Sequence, residues 1–353
     1  KALEPFDLYR IFIGKKKNDK LVSSETISTE NKSLTHRIAL WIRLNLFIPD
    51  ARVGWNFTAI KAASRFIQKE KIDAIVSIGP PHSSHLIGLK LSKRFNIPHI
   101  PVLIDPWVDI VYYKNLKRST ITKMIDNHFE KSVLQNARQV IFVNKSTEED
   151  YAKKYSFLKG KSNVLYWGYD EEAFKDLKTD KIRNDEKTIV HAGNMFAYQN
   201  PKNFWKQIKI ENEKGNIILI RFVGSVDKEI LDYLDSIGLK EKVQLAGFLP
   251  YKEMIKEILQ ADMLLVCSTE PRHVPGKLFE ALRTGNPIIA FGNDNQEVKK
   301  IIKDANAGMM FRYDESGEEF LRDLVKIKPD QNFVKKYNRA EISKEFYLIL
   351  KKL

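Results

Sequence analysis

The feature that most constrains this chain is an alternation of short apolar runs with amphipathic helical patterns. Apolar runs at Asp73–Ile78, His99–Ile104 and Gln139–Val143 are separated by helical spacing over Leu86–Phe95, Thr120–Ala137 and Ser146–Lys154, and a short strand follows at Asn163–Tyr166. Strands that are apolar on both faces and separated by helices belong to a parallel sheet covered on each side. The pattern resumes at Thr188–Ala192 and continues through Ile217–Val223, Val243–Leu245, Met263–Cys267, Pro287–Phe291 and Met309–Phe311, with helices between. A length of 353 residues accommodates two such cores. The expected fold class is therefore α/β, with two Rossmann-like doubly wound domains facing a central cleft.

The boundaries expected from these breaks are 1–166 for the first domain, 167–330 for the second, and 331–353 for a long closing helix able to pack back on the first domain. Trp167–Asp170, Phe174 and the polar stretch to Lys187 read as a linker. Ahead of the first strand, residues 1–32 are polar and irregular. Helices are expected at Leu34–Phe47, where Arg37, Trp41 and Arg43 sit among aliphatic residues, and at Gly54–Lys71. The first of these fits a core helix or one lying on a membrane surface.

One stretch carries chemistry in its own spacing. Val274–Gly292 runs from a turn at Pro275-Gly276 into a short helix bearing Lys277 and Glu280, which Gly285 ends before the next strand. A helix beginning beyond a parallel strand aims unpaired N–H groups at the crevice where α/β sheets bind ligands. Lys277 adds a full charge for a phosphate, and Glu280, one turn on, can accept hydrogen bonds from a ribose diol. Phosphate with ribose means a nucleotide.

The net charge of +14 is unevenly divided: residues 1–165 hold 28 Lys and Arg against 15 Asp and Glu, and the remainder 31 against 30. That excess suits a solvated lysine-rich surface, anionic lipid head groups or a phosphorylated acceptor. Nucleic acid is not expected, because no recognition module accompanies the charge. The single cysteine, Cys267, excludes an internal disulfide and a cysteine-based metal site. With no apolar run long enough to span a bilayer and no visible signal peptide, the expected location is cytoplasmic, possibly the inner face of the plasma membrane.

These residues resemble family 4 glycosyltransferases of the GT-B fold, retaining enzymes, in particular those of bacterial surface-polysaccharide (lipopolysaccharide or capsule) biosynthesis. Ser77–His85 and Asp105-Pro106-Trp107 resemble the family's acceptor-side loops, and Gly168-Tyr169-Asp170 with Phe174 its interdomain run. His191-Ala192-Gly193-Asn194 with Gln199 resembles its donor-side loop, Val243–Leu249 its Val-x-Phe-x-Gly strand, and Val274–Pro287 its donor-nucleotide helix. The chain departs from the family at three points. Nothing matches the usual first strand and glycine-rich loop. Arg272 stands where the first carboxylate of the Glu-x7-Glu motif falls, and Ile104 where many relatives have Arg.

The resemblance implies transfer of a sugar from a nucleotide-sugar donor to a polysaccharide or polyprenyl-linked saccharide acceptor, with retention. Charge developing on the departing diphosphate calls for cations and N–H dipoles. The donor set implied is Gly193, Asn194, Lys202, Arg272, Gly276, Lys277, Leu278 and Glu280. On the acceptor side, His82 and His85 touch the donor sugar, handle an acceptor proton, or cap the following helix; Asp105 binds acceptor hydroxyls or starts a turn. Lys202 is equally readable as a solvated helix lysine. No metal and no other cofactor is expected, because no apolar strand ends in Asp-x-Asp and Lys277 can do the cation's work. The alternatives are a sugar-nucleotide epimerase of the same fold and a non-catalytic nucleotide- or glycan-binding relative.

Overall fold

The computed structural model describes residues 34–110, 116–177, 186–268 and 270–353. The expected irregular stretch 1–32, the missing first strand and glycine-rich loop, and most of the polar run before Lys187 lie outside the described residues. The chain divides into two compact units, Lys1–Leu165 with Ile349–Leu353, and Tyr166–Leu348.

In the first unit, helices α1 (Leu34–Asn45) and α2 (Trp55–Ile67) precede β1 (Ile75–Gly79), α3 (Ser83–Phe95), β2 (His99–Leu103), α4 (Thr120–Asn136), β3 (Val140–Phe142), α5 (Lys145–Lys154) and β4 (Ser162–Val164). The four strands form a parallel sheet in the order β1-β2-β3-β4. Leu103, Val140 and Phe142 pack against Leu134 of α4 and Tyr151 of α5. Caps define the helix starts: Ser119 accepts the Thr122 amide and Asn144 the Thr147 amide, each such cap being worth about 1 kcal/mol. Helix α3 starts earlier than its apolar periodicity suggests. Its cap comes from 33 residues upstream, because Asp50 accepts the Ser83 amide at 2.7 Å and the Ser83 hydroxyl at 3.0 Å.

The second unit comprises β5 (Lys187–Ala192), α6 (Lys202–Glu213), β6 (Ile218–Val223), α7 (Lys228–Ser236), β7 (Val243–Gly247), α8 (Tyr251–Gln260), β8 (Met263–Cys267), α9 (Gly276–Thr284), β9 (Ile288–Phe291), α10 (Gln296–Asp304) and β10 (Gly308–Phe311). Its parallel sheet runs β10-β9-β8-β5-β6-β7. Alternate residues feed two cores: Val190, Leu264, Val266, Ile288 and Ala290 one face, Ile189, Met263, Leu265, Cys267, Ile289 and Phe291 the other. Both faces are dry, which is why these strands read as unbroken apolar runs. The strand order reverses between β5 and β8, and open α/β sheets bind ligands beyond the carboxyl ends of strands at such a switch point.

Two expectations about the second unit need correction. The run from Trp167 is no free linker, since Tyr169, Ala173 and Phe174 are buried in that unit's core. After a separate short helix α11 (Glu318–Asp323), the long closing helix is broken into α12 (Gln331–Val334) and α13 (Arg339–Leu350), with a 3-10 turn at Lys335–Tyr337. The break at Asn338 frees backbone groups. Tyr169 donates its amide to the Tyr337 carbonyl at 2.9 Å and accepts the Arg339 amide at 3.0 Å. An unbroken helix would use those groups internally. Tyr337, buried by the break, packs on Phe279 at 4.9 Å between ring centroids.

Candidate functional site

In the first unit, the sequence candidates lie around the carboxyl ends of β1 and β2. His82 occupies the N-cap position of α3 without making a cap bond, Asp50 having taken that role. His85, expected in a loop, lies in the first turn of α3 and is wholly buried. His82 stacks on Trp107 with ring centroids 5.0 Å apart, and His85 tilts against the same indole at 5.5 Å. Ser77 Oγ sits 2.8 Å from His85 Nδ1 and 2.7 Å from His99 Nε2. One hydroxyl has one proton, so Ser77 donates to one ring and accepts from the other when both rings are neutral.

Burial keeps these rings neutral. Desolvation lowers the His82 pKa to about 3 and that of His99 to about 4. His85 is held well below the usual imidazole range, first by burial and then by repulsion from His82 and His99. Both His82 nitrogens and His85 Nε2 lack hydrogen bonds of normal geometry, although the Pro106 carbonyl lies near His82. Gly79 makes the close approach possible: a Cβ there would lie 2.5 Å from His85 Nε2. Asp105 follows β2 and is half-buried beside this group.

The residues that hold Trp107 were not singled out in the sequence. Its indole N–H donates to Asp126 at 2.7 Å, and its amide to the Tyr151 hydroxyl oxygen at 2.8 Å. Asp126 also accepts from buried Arg118 at 2.6 Å, and burial still pushes its pKa up. Glu130 accepts from Tyr151, Tyr155, Lys154 and the Val108 amide. Acidic residues at positions 126 and 130 of a helix share a face, which is the signal that was available. Their burial was not legible, because the cations and hydroxyls that satisfy them come from other segments.

In the second unit, β5, β8 and α9 converge at the switch point. Lys277, in the first turn of α9, is half-buried, and its Nζ lies 3.2 Å from His191 Nε2 at the end of β5. None of the ion pairs among the described residues involves Lys277. Desolvation lowers its pKa, with Cys267 and Glu280 opposing. Glu280 accepts from the Tyr251 hydroxyl at 2.7 Å, and burial raises its pKa. Gly193 follows β5 with φ +112°, and a Cβ there would meet Lys277 Nζ at 3.5 Å. Asn194 accepts from Ser225 at 2.9 Å. The cavity that Lys277 and Glu280 line inside the fold is about 10 Å³, so a ligand the size of a nucleotide must lie over the strand ends.

The remaining donor candidates separate by placement. Gly276 opens α9 and packs against the Trp167 indole. Arg272 is half-buried in the preceding turn. Buried Asn295 clamps that turn, donating to the Glu270 and His273 carbonyls at 2.8 Å each and to Ser268 Oγ, while its Oδ1 caps α10. Leu278 places its side chain in the core, 0% exposed, and its amide donates to the Pro275 carbonyl. Lys202 is a surface side chain, 3.7 Å from Glu229 and over the Tyr233 ring, and is not joined to Lys277 or Gly193. Among the described residues no three His, Cys, Asp or Glu side chains gather to hold a metal, and no helix is long and apolar enough to cross a membrane.

Comparison with known proteins agrees with this arrangement. The family model "Glycosyl transferases group 1" matches residues 172–344, and "Glycosyltransferase Family 4" matches residues 26–173. A search of curated protein sequences gave no match. Sucrose-phosphate synthase from Thermosynechococcus elongatus superposes with TM-score 0.62 at 15% identity, over 85% of this chain and 78% of that one. Anabaena HepE in complex with UDP gives TM-score 0.63 at 14% identity, over 83% and 82%. The lipopolysaccharide outer core galactosyltransferase WaaB, in its apo form, gives 0.55 at 15% identity, over 84% and 80%. With a glycosyltransferase model on each of its two parallel α/β units, the chain is a glycosyltransferase of the GT-B fold.

Proposed function

We propose that the second unit takes a nucleoside diphosphate sugar and that the sugar passes, with retention, to a saccharide or polyprenyl-linked acceptor handled by the first unit. The observation that carries this reading is Lys277: a half-buried, desolvated ammonium in no ion pair among the described residues, at the start of a helix and at the switch point of a parallel sheet. A desolvated cation so placed gains most from an incoming anion. The Gly276 and Lys277 amides, at the positive end of α9, would share the β-phosphate charge as the glycosidic bond breaks. Glu280, oriented by Tyr251, would hold the ribose. Arg272 is proposed to reach the same phosphates, Gly193 to admit them closely and Asn194 to border the approach.

On the acceptor side, His82, His85 and Asp105 are the groups proposed to orient or deprotonate the acceptor hydroxyl, and neutral imidazole is the form competent to accept a proton. No resident metal is proposed, the Lys277 charge standing in its place. HepE, solved with UDP, and WaaB, a lipopolysaccharide galactosyltransferase, support the donor class and a surface-polysaccharide role. The basic first half and the exposed Ile38 and Trp41 of α1 support work at the inner membrane surface. Full-chain protein screened by calorimetry and product analysis against UDP-, GDP-, ADP- and CMP-sugars tests the reading. Absence of nucleotide binding and of turnover with every donor defeats it, and donor interconversion without acceptor would make the protein an epimerase.

A further inference from the structure

His191 lies on β5, wholly buried, and both of its ring nitrogens are engaged. Nδ1 is 3.0 Å from the Leu265 carbonyl oxygen on β8. A carbonyl only accepts, so Nδ1 carries the proton. Nε2 is then a lone pair, and it faces the Lys277 ammonium, which only donates, at 3.2 Å. The Leu265 contact selects this tautomer and the Lys277 contact fits it; the Asn194 backbone also lies beside the ring.

We propose that His191 is a positioning residue for glycosyl transfer: its Nε2 lone pair fixes the Lys277 ammonium beside Gly193 without a negative charge that would cancel it. This deepens, and rests on, the reading of Lys277 as a phosphate-binding residue. The groups facing the ammonium bear out the distinction. Cys267, at the end of β8, is buried, with its thiol pKa pushed up to about 11, and so is neutral at ordinary pH. Glu280, the nearby carboxylate, is held by the Tyr251 hydroxyl at 2.7 Å. An aspartate in place of His191 would hold Lys277 more firmly and spend its charge, whereas an apolar residue would let the long side chain wander. A neutral acceptor, pinned from behind by a strand carbonyl, holds the cation and leaves its field for the ligand.

The test uses the full chain, with UDP, ADP, GDP and CDP and their nucleosides as probes, in calorimetric titrations. His191→Phe should weaken the bound diphosphate at least about tenfold while leaving the nucleoside unchanged. His191→Gln, whose carbonyl oxygen can replace the lone pair, should stay within about threefold of the parent. In a Lys277→Met background, His191→Phe should cost nothing further. Equal losses for nucleoside and diphosphate, or additive losses in the double variant, would overturn the proposal and assign His191 to packing alone. If the parent protein binds no diphosphate, the donor reading itself fails. Histidine nitrogen NMR then still judges His191: a protonated Nδ1 with bare Nε2 supports the positioning contact, and a protonated Nε2 refutes it.

Discussion

The two units solve the problem of burying polar groups in opposite ways. Around Trp107 the first unit buries three histidines, and desolvation keeps them neutral. The buried charges there, Arg118, Asp126 and Glu130, are matched within the protein. At the switch point the second unit half-buries one lysine that forms no ion pair among the described residues. A compensated network stabilises and orients; an uncompensated cation stores attraction for something absent. On the proposed function, the difference would separate a site that places a neutral, hydroxylic partner from one that meets an anion.

The sharpest way to break the comparison is to uncompensate the first unit. Asp126→Ala strands buried Arg118 and frees the Trp107 indole, and should destabilise that unit by about 3–5 kcal/mol, read by denaturant unfolding. A smaller change than expected would mean that the network is wet.

Acid should distinguish the units next. The folded pKa values of His82 and His99, about 3 and about 4, and that of His85 are depressed below the ordinary 6.5. Below pH 6.5 the unfolded state therefore binds more protons, so stability is complete above that pH and is lost as pH falls. From pH 6.5 to 5.5 each histidine costs about 1 kcal/mol, since the unfolded imidazole is already half protonated at the upper value, and the first unit loses roughly 3 kcal/mol. The second unit, with His191 as its corresponding buried histidine, should lose about 1 kcal/mol over that range. Hydrogen exchange resolved by unit at the two pH values measures both.

Lys277→Met should lower kcat about 10²–10³-fold by removing charge at the leaving group, with folding intact by circular dichroism. An unchanged rate would make this lysine structural. Tyr251→Phe removes the hydroxyl that orients Glu280 and should raise donor KM about threefold to tenfold with little change in kcat. Lys202→Ala, which touches only a surface pair, should change either constant by less than about twofold. A large effect there would return Lys202 to the donor site.

Much of this was legible along the chain. Unbroken apolar strands separated by helices imply covered parallel sheets, and Pro275-Gly276 with Lys277 and Glu280 one turn apart reads as a nucleotide grip without coordinates. The core placement of the Leu278 side chain was not legible beside Lys277, because adjacent positions on a helix point to different faces. The Asn338 break escaped because its cause, the backbone of Tyr169, lies far away in sequence. Arg118, Asp126 and Asn295 were missed for the same reason, since each is an ordinary surface residue type until remote partners bury it, and Tyr251 because its partner Glu280 lies 29 residues away.

Sequence alone thus determined the two α/β units and the chemistry on offer at Val274–Gly292, because both follow from periodicity and spacing within one segment. Only the tertiary structure decided which polar groups lose their water, that Asp50 rather than His82 caps α3, and that His191 offers Lys277 a lone pair. Those outcomes depend on desolvation and on partners from distant segments, and neither is written in local order.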